Sequence, residues 1–338
     1  MTTIVYPVSA IQTGYKRYVD GLLKGLKNIH YHFEERGIRK IEFSIRGKPV
    51  GGIISRYLAA NINHFRNWPV HALTSEVAPR NADITTVHDI IPLTYPSTLI
   101  RGRYNDIAYS LSFKNALDSK IIVAPSFWVK KQLVDLGISE ERVRVIHEGI
   151  DFTIFYPDFS TPYPDNGKIH LVTVGDFNPR KRFDLLYDIV SRNRDLELYH
   201  IGSANSWNDI ASELRYTAEK SENIRVLGKR DDIELRRYLT SADAFVYISE
   251  DEGFGLPPIE ALACGTNIVV NDIPIFRETV GGVATLSDID SFEESILRTV
   301  EGKKSKNALI DSAHRYSIEK EVSEYVELYE SVKSEVVA

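Results

Sequence analysis

Short apolar runs alternate with amphipathic stretches along almost the whole chain, the pattern of βα units built around parallel sheet. In the first half, the runs Thr3–Tyr6, Ile41–Ser44, Ile84–Val87, Ile121–Ala124 and Val143–Ile146 predict strands. Helical spacing predicts helices over Tyr15–Leu26, Tyr104–Leu117 and Phe127–Leu136. In the first of these, Tyr15, Tyr18, Val19, Leu22, Leu23 and Leu26 share one face. Residues 28–82 are otherwise less legible, with polar and aromatic positions mixed, and no site is placed there. The stretch Tyr156–Gly167, rich in proline, aspartate and turn residues, is the best linker candidate. Beyond it the alternation restarts, with strands expected at His170–Val174, Leu196–Ile201, Ile224–Leu227, Ala244–Ile248 and Asn267–Val270. Helices fit Phe183–Val190, Ile210–Lys220, Asp232–Leu239, Pro257–Ala263 and Phe292–Val300. From Ile318 a further helix carries Ile318, Val322, Tyr325, Val326, Tyr329 and Val332 on one side, a stripe that must pack on something.

At 338 residues the chain exceeds a typical single core and favours two domains. A net charge of −6 gives no global basic field, which argues against nucleic acid as a partner. Cys264 is the only cysteine, so an intrachain disulfide and a cysteine-based metal cluster are excluded. Beside Gly265 at an apolar helix end, it reads as a small buried residue. No apolar stretch approaches the length of a bilayer span, and the N-terminus lacks a signal-peptide charge pattern. The expected setting is cytoplasmic, with any membrane contact peripheral, at the inner membrane surface.

Residues Glu252 to Glu260 read Glu-Gly-Phe-Gly-Leu-Pro-Pro-Ile-Glu, between an apolar strand and an Ala/Leu-rich helix. Gly253 and Gly255 let backbone N–H groups approach a ligand with no Cβ in the way. Pro257 and Pro258 suit a first helical turn. A glycine loop feeding a helix start favours negative charge, because free N–H groups and the macrodipole point the same way. With two carboxylates flanking it, the segment suits a ligand that carries both phosphates and sugar hydroxyls.

This segment resembles the signature of retaining glycosyltransferases of family 4, with glutamates eight positions apart around Gly-Phe-Gly-Leu-Pro. The resemblance implies an α/β chain of the GT-B fold, two Rossmann-like domains facing a cleft, using a UDP- or GDP-sugar. Its expected divisions are an acceptor-side domain over 1–156, a nucleotide-sugar domain over 157–315, and a helix over 316–338 packing back on the first domain. Packing of that helix on its own domain is the alternative. By the same analogy Glu252 meets the donor sugar and acts catalytically, and Glu260 binds the ribose hydroxyls. The amides of Phe254, Gly255 and Leu256, with Gly253, meet the sugar and the diphosphate.

Further stretches follow the family order. Asp176–Arg182 sits between a predicted strand and helix, and resembles the family turn whose lysine neutralises the donor diphosphate; this implies that role for Lys181, helped by Arg180. Many relatives have arginine where this chain has Asp176, and a solvated basic cluster is the plain alternative. Gly14, before Tyr15, resembles the family's first loop, whose backbone lies under the pyrophosphate; a simple turn glycine fits equally. Thr86–Leu93 puts a His-Asp pair at a strand end, and the resemblance sets His88 to position donor sugar or acceptor, against a core or capping histidine. Glu148–Asp151 reads mainly as structural, with glutamate where relatives often have asparagine. Arg230, after Gly228, is a candidate base or phosphate contact.

Asp288 and Asp290 fit a metal-binding Asp-x-Asp form but precede a predicted helix, where aspartates are ordinary caps, so no metal ligands are assigned. No Gly-x-Ser-x-Gly elbow supports a serine hydrolase. The expected reaction is metal-independent glycosyl transfer, with retention, to a hydroxyl of a glycan or glycolipid. A nucleotide-sugar epimerase or hydrolase, or a non-catalytic binding protein, is the rival, since fold does not fix function. No cofactor is expected beyond the nucleotide-sugar co-substrate.

Overall fold

The computed structural model describes residues 2–8, 14–39, 42–45, 48–51, 53–62, 69–95, 103–160, 162–203 and 209–337. Two compact units emerge. Unit 1 takes its residues from 1–94, 99–149 and 318–338; unit 2 spans 150–317 and includes Tyr95.

Unit 1 runs β1 (Thr2–Val8), α1 (Gly14–Asn28), β2 (Phe33–Arg39), β3 (Glu42–Ile45), β4 (Lys48–Gly51), α2 (Ile53–Ile62), β5 (Val70–Ala72) and β6 (Ile84–Thr86). It continues through α3 (Ile91–Thr94), α4 (Arg103–Asp118), β7 (Ile121–Ala124), α5 (Phe127–Asp135) and β8 (Val143–Val145). Six of its strands form a parallel sheet in the order β2-β1-β5-β6-β7-β8. The predicted strand at Ile41–Ser44 is β3, which pairs antiparallel with β4 in a separate two-stranded sheet.

Unit 2 runs β9 (Ile169–Val174), α6 (Phe183–Arg192), β10 (Leu196–Ile201), α7 (Asp209–Lys220), β11 (Ile224–Gly228), α8 (Asp232–Ser241) and β12 (Ala244–Tyr247). It then adds α9 (Leu256–Ala263), β13 (Ile268–Asn271), α10 (Pro274–Thr279), β14 (Thr285–Ser287), α11 (Phe292–Glu301) and α12 (Lys306–Ala313). Its parallel sheet has the order β11-β10-β9-β12-β13-β14. Strand order reverses between β9 and β12, and such a switch point opens a crevice at the carboxyl ends of the strands. Both faces of this sheet are covered, which is why Leu196–Ile201 and Ala244–Tyr247 are buried at every position rather than at alternate ones.

The last helix, α13 (Ile318–Val337), belongs to unit 1. Its Val322, Tyr325, Tyr329 and Val332 join one core with Tyr18, Leu22 and Leu26 of α1 and Ile4 of β1. Close approach at its start depends on Gly149, where a Cβ would lie 2.5 Å from the Ile318 Cα. The division at Gly149/Ile150 precedes the linker candidate Tyr156–Gly167, which packs within unit 2. Its prolines and aspartates terminate strands but do not prevent docking. Arg236 sits over the Tyr156 ring and pairs with Asp158, and the Tyr163 hydroxyl donates to the Tyr238 carbonyl at 2.7 Å. No described helix is long and apolar enough to cross a membrane.

Candidate functional site

The carboxyl edge of unit 2 at its switch point is built from the loops that follow β9 and β12. After β9 the chain turns through Gly175 and Asp176 into a single 3-10 turn, Pro179–Lys181, whose start is capped by the Asn178 side chain accepting from the Arg180 N–H. Arg182 then adopts a left-handed conformation, φ 40°, and opens α6. A non-glycine residue there costs of order 1–3 kcal/mol and persists only where its surroundings hold it. Here its guanidinium is tied to Asp184 and Glu250. Those constraints present Arg180 and Lys181 side by side on one short turn. A backbone bond from the Glu250 N–H to the Arg180 carbonyl, 2.9 Å, joins the two loops.

β12 ends in a clamp. Asn271 of β13 accepts from the Ser249 N–H at 2.9 Å and donates to the Ser249 carbonyl at 2.8 Å. That fixes where the following acids point. Glu252 Oε1 pairs with Arg180 Nη1 at 2.7 Å and accepts from the Tyr247 hydroxyl at 2.8 Å and the Ser249 hydroxyl at 3.0 Å. Arg180 Nη1 also donates to the Ser249 hydroxyl and the Asp251 carbonyl. Lys181 Nζ donates to the Tyr247 hydroxyl at 2.6 Å, so a relay runs from Lys181 through Tyr247 to Glu252. Glu252 Oε2 takes no hydrogen bond among the described residues. The other oxygen of this carboxylate, Oε1, takes all three of these contacts.

Burial alone would raise the Glu252 carboxyl, yet the charges of Arg180 and Lys181 and the hydrogen bonds from Arg180 and Tyr247 hold it at about 2. Burial lowers Lys181, with Arg180 adding to the effect while Glu252, Asp176 and Glu260 oppose it. An ammonium deprived of water by burial gains from an arriving anion. Beneath the turn, His200 donates or accepts at the Tyr187 hydroxyl, 2.7 Å, and donates to the Gly175 carbonyl, 2.6 Å. Burial lowers it to about 4, so it is a neutral prop.

α9 begins at Leu256, with Gly255 as its cap in the left-handed region, φ 83°. No side chain caps this end, and Pro257 and Pro258 have no N–H. Among the described residues, the Gly255 and Leu256 N–H groups make no hydrogen bond. Phe254 is buried, its ring edge-on to Tyr316 at 5.2 Å. Glu260 is buried at the second turn of α9, where its charge acts on Lys181 and Tyr247. Arg230 is apart from this cluster; it faces Glu234 and the Lys229 carbonyl at the end of β11.

In unit 1, Gly14 opens α1, and the loop preceding it lies outside the described residues. His88 follows β6 and is enclosed: Nδ1 meets Glu148 Oε1 at 2.7 Å, Nε2 meets the Leu73 carbonyl at 2.9 Å, and the rings of Tyr15 and Tyr18 stand edge-on. Sequence reasoning gave no site role to Tyr247, Ser249 and Asn271, and read Glu148 mainly as structural. Tyr247 sat in an apolar run read only as a buried strand and Ser249 at its end, where a hydroxyl pair was the available signal. No group of three or more His, Cys, Asp or Glu among the described residues is placed to hold a metal ion; Asp288 and Asp290 are exposed before α11.

Residues 159–316 match the family model for glycosyl transferases group 1, and residues 50–154 match that for glycosyltransferase family 4. The O-antigen chain mannosyltransferase RfbU of Salmonella typhimurium is 28% identical over 228 residues, 66% of this chain and 61% of that protein. Against the Escherichia coli mannosyltransferase WbdA, also 28% identical, the chain spans 26% of the relative's length. An uncharacterized glycosyltransferase of Methanocaldococcus jannaschii, MJ1178, is 24% identical over 94% of this chain and 92% of its own. Among solved structures, sucrose-phosphate synthase from Thermosynechococcus elongatus superposes with a TM-score of 0.75 at 16% identity, covering 99% of this chain and 100% of that one. Anabaena HepE in complex with UDP and glucose gives 0.70 at 14% identity, covering 97% and 99%. These structures share the two-sheet α/β architecture of the GT-B fold. With both family models matched in chain order, this chain belongs to the glycosyltransferase group 1 family.

Proposed function

We propose that the chain is a retaining hexosyltransferase, moving a sugar from a nucleotide-diphosphate sugar to a hydroxyl of a glycan or glycolipid without a metal ion. The observation that carries this reading is the Arg180–Lys181–Glu252 cluster at the switch point of unit 2, beside an uncapped helix start. Transfer leaves a diphosphate while positive charge grows on the sugar ring. Lys181 and the Gly255 and Leu256 amides meet the departing charge, as preorganised donors do where charge develops. Arg180 contributes mainly through Glu252, which it holds ionised. Glu252 Oε2 accepts from a sugar hydroxyl and Glu260 serves the ribose; in unit 1, His88 and Gly14 are the residues assigned to donor or acceptor.

The bond from the anomeric carbon to the phosphate oxygen breaks and the bond to the acceptor oxygen forms on the same face. The acceptor proton passes to the leaving phosphate. The curated relatives named above as mannosyltransferases favour mannose as the sugar. The HepE complex makes a UDP-sugar the other donor to try. A donor of this kind implies a cytoplasmic reaction, with a lipid-linked acceptor met at the inner membrane surface; fractionation of cells checks that placement.

The test is multiple-turnover release of nucleoside diphosphate from GDP- and UDP-hexoses, with and without acceptor, followed by NMR of the product anomer. Retained configuration and indifference to chelator are expected. Donor epimerised in the absence of acceptor, an inverted product, or chelator loss restored by manganese would each reject this reading.

A further inference from the structure

We propose that Glu148 is the positioning residue of His88, holding its ring as a doubly protonated imidazolium, so that His88 serves the transfer without ever acting as a proton acceptor. The inference rests on the reading that His88 takes part in glycosyl transfer, and it concerns which chemistry that histidine is allowed.

Geometry supplies the case. His88 Nε2 lies 2.9 Å from the Leu73 carbonyl, an oxygen that can only accept, so this nitrogen carries a proton. Nδ1 lies 2.7 Å from Glu148 Oε1, within the range of a charge-assisted bond. A proton shared by an imidazole and a carboxyl resides on the imidazole, whose ordinary pKa is about two units higher. Both ring nitrogens are then donors to the protein. Edge-on contacts from Tyr15 and Tyr18, centroids 5.1 Å and 4.6 Å away, pack against the ring in this orientation.

The surrounding charges support that state. Burial opposes a charged His88, but the hydrogen bond and charge of Glu148, the Leu73 carbonyl and Asp89 outweigh it, and the ring's pKa is raised. Behind it, His71 of β5 is buried between the Tyr329 and Thr86 hydroxyls and is pushed down to about 3 by burial and by the His88 charge. From α13, Glu321 faces Glu148; burial, then the Glu148 charge, drives its carboxyl well above the usual range. Its Oε2 accepts from the Gly149 N–H at 3.1 Å. Of the two acids, Glu148 has the His88 ring as its partner, while Glu321 keeps its proton. His71, next along the network, stays neutral. The cluster therefore has one proton arrangement, and it leaves the acceptor hydroxyl's proton no home on His88.

The experiment is histidine-15N NMR of the full chain from pH 5 to 9, with the His88 signals assigned from their loss in His88→Asn. Both ring nitrogens of His88 are expected to stay protonated at pH 7.5, where an ordinary histidine is about ten parts neutral to one charged. Glu148→Gln keeps an oxygen for the Nδ1 proton but removes the charge. Its His88 is expected to titrate at least one unit lower, and its kcat is expected to fall with rising pH along that titration, while wild-type kcat shows no rise through the same range. A wild-type His88 neutral at pH 7.5, a titration unmoved by Glu148→Gln, or a wild-type kcat that rises as His88 loses a proton would each overturn the proposal. The wild-type titration needs only the His88→Asn assignment and does not depend on Glu148→Gln folding. It also needs no turnover, so a chain with the expected imidazolium but no transfer activity would count against the functional reading alone.

Discussion

Two cations, Arg180 and Lys181, stand around one carboxylate, Glu252, at the carboxyl edge of unit 2. At the corresponding edge of unit 1, Glu148 bonds the His88 imidazole and faces a second acid, Glu321. Both groups are largely removed from water, where an uncompensated charge is costly. In unit 2 the charges of Arg180 and Lys181 outweigh burial and hold the acid ionised at about 2. In unit 1 burial and the Glu148 charge drive the second acid, Glu321, to keep its proton. Similar parallel-sheet edges thus treat a buried carboxyl in opposite ways. The charge of its nearest neighbours, rather than the fold, makes the difference.

The strongest way to break the contrast is Glu252→Ala. It strands the buried Arg180, and removing one partner of such a pair costs about 3–5 kcal/mol, to be read as a lowered denaturation midpoint. Lys181→Ala is expected to spare the fold and to cut kcat by about 10²–10³-fold, the scale of one preorganised donor; steady-state diphosphate release measures it, and near-normal turnover would remove Lys181 from its assigned role. Tyr325→Phe acts only on unit 1. Its hydroxyl bonds Tyr18 at 2.7 Å and Thr86 at 3.0 Å, so its loss removes two buried hydrogen bonds, at about 0.5–1.5 kcal/mol each, while Tyr18 and Thr86 keep the bond between them.

Acid and alkali sharpen the same contrast with opposite signs. Glu252 has a depressed pKa, so its contribution is present above the ordinary carboxyl value and is lost as pH falls toward about 2. Glu321 has a raised pKa, so the unfolded chain releases that proton first and stability declines as pH rises above the ordinary value, by at most about 1.4 kcal/mol per unit. Glu321→Gln is expected to flatten the alkaline side of the stability profile and leave the acid side as it was. A slope unchanged by that substitution would show Glu321 ionised in the fold. The smallest expected effect is Ser126→Ala, which removes the α5 cap bond to the Val129 N–H and costs about 1 kcal/mol in thermal unfolding.

Much of the sheet was legible because buried parallel strands are written as continuous apolar runs, as at Ile121–Ala124 and Leu196–Ile201. β2 was not, because Phe33–Arg39 lies at the sheet edge with mostly exposed positions and reads as polar. β5 and β14 have three residues each, too few for a period to register, and α10 has six. Of the candidate site, the glycines, the prolines and the basic turn could be picked out because each does its work locally. The Arg180–Glu252 pair could not, since only the adjacency of β9 and β12 brings two loops of distant sequence together.

The chain by itself determined what each short segment can do: strands from apolar runs, helices from their spacing, an anion-friendly turn from glycine ahead of proline. Backbone geometry and side-chain size act over a few residues, so that information is local and survives without a partner. Tertiary structure alone decided which ionisable groups meet. It set Glu148 against His88 across 60 residues, gave α13 to unit 1, and buried Glu321 facing Glu148. A buried charge is governed by its nearest neighbours in space, and only the folded chain specifies those.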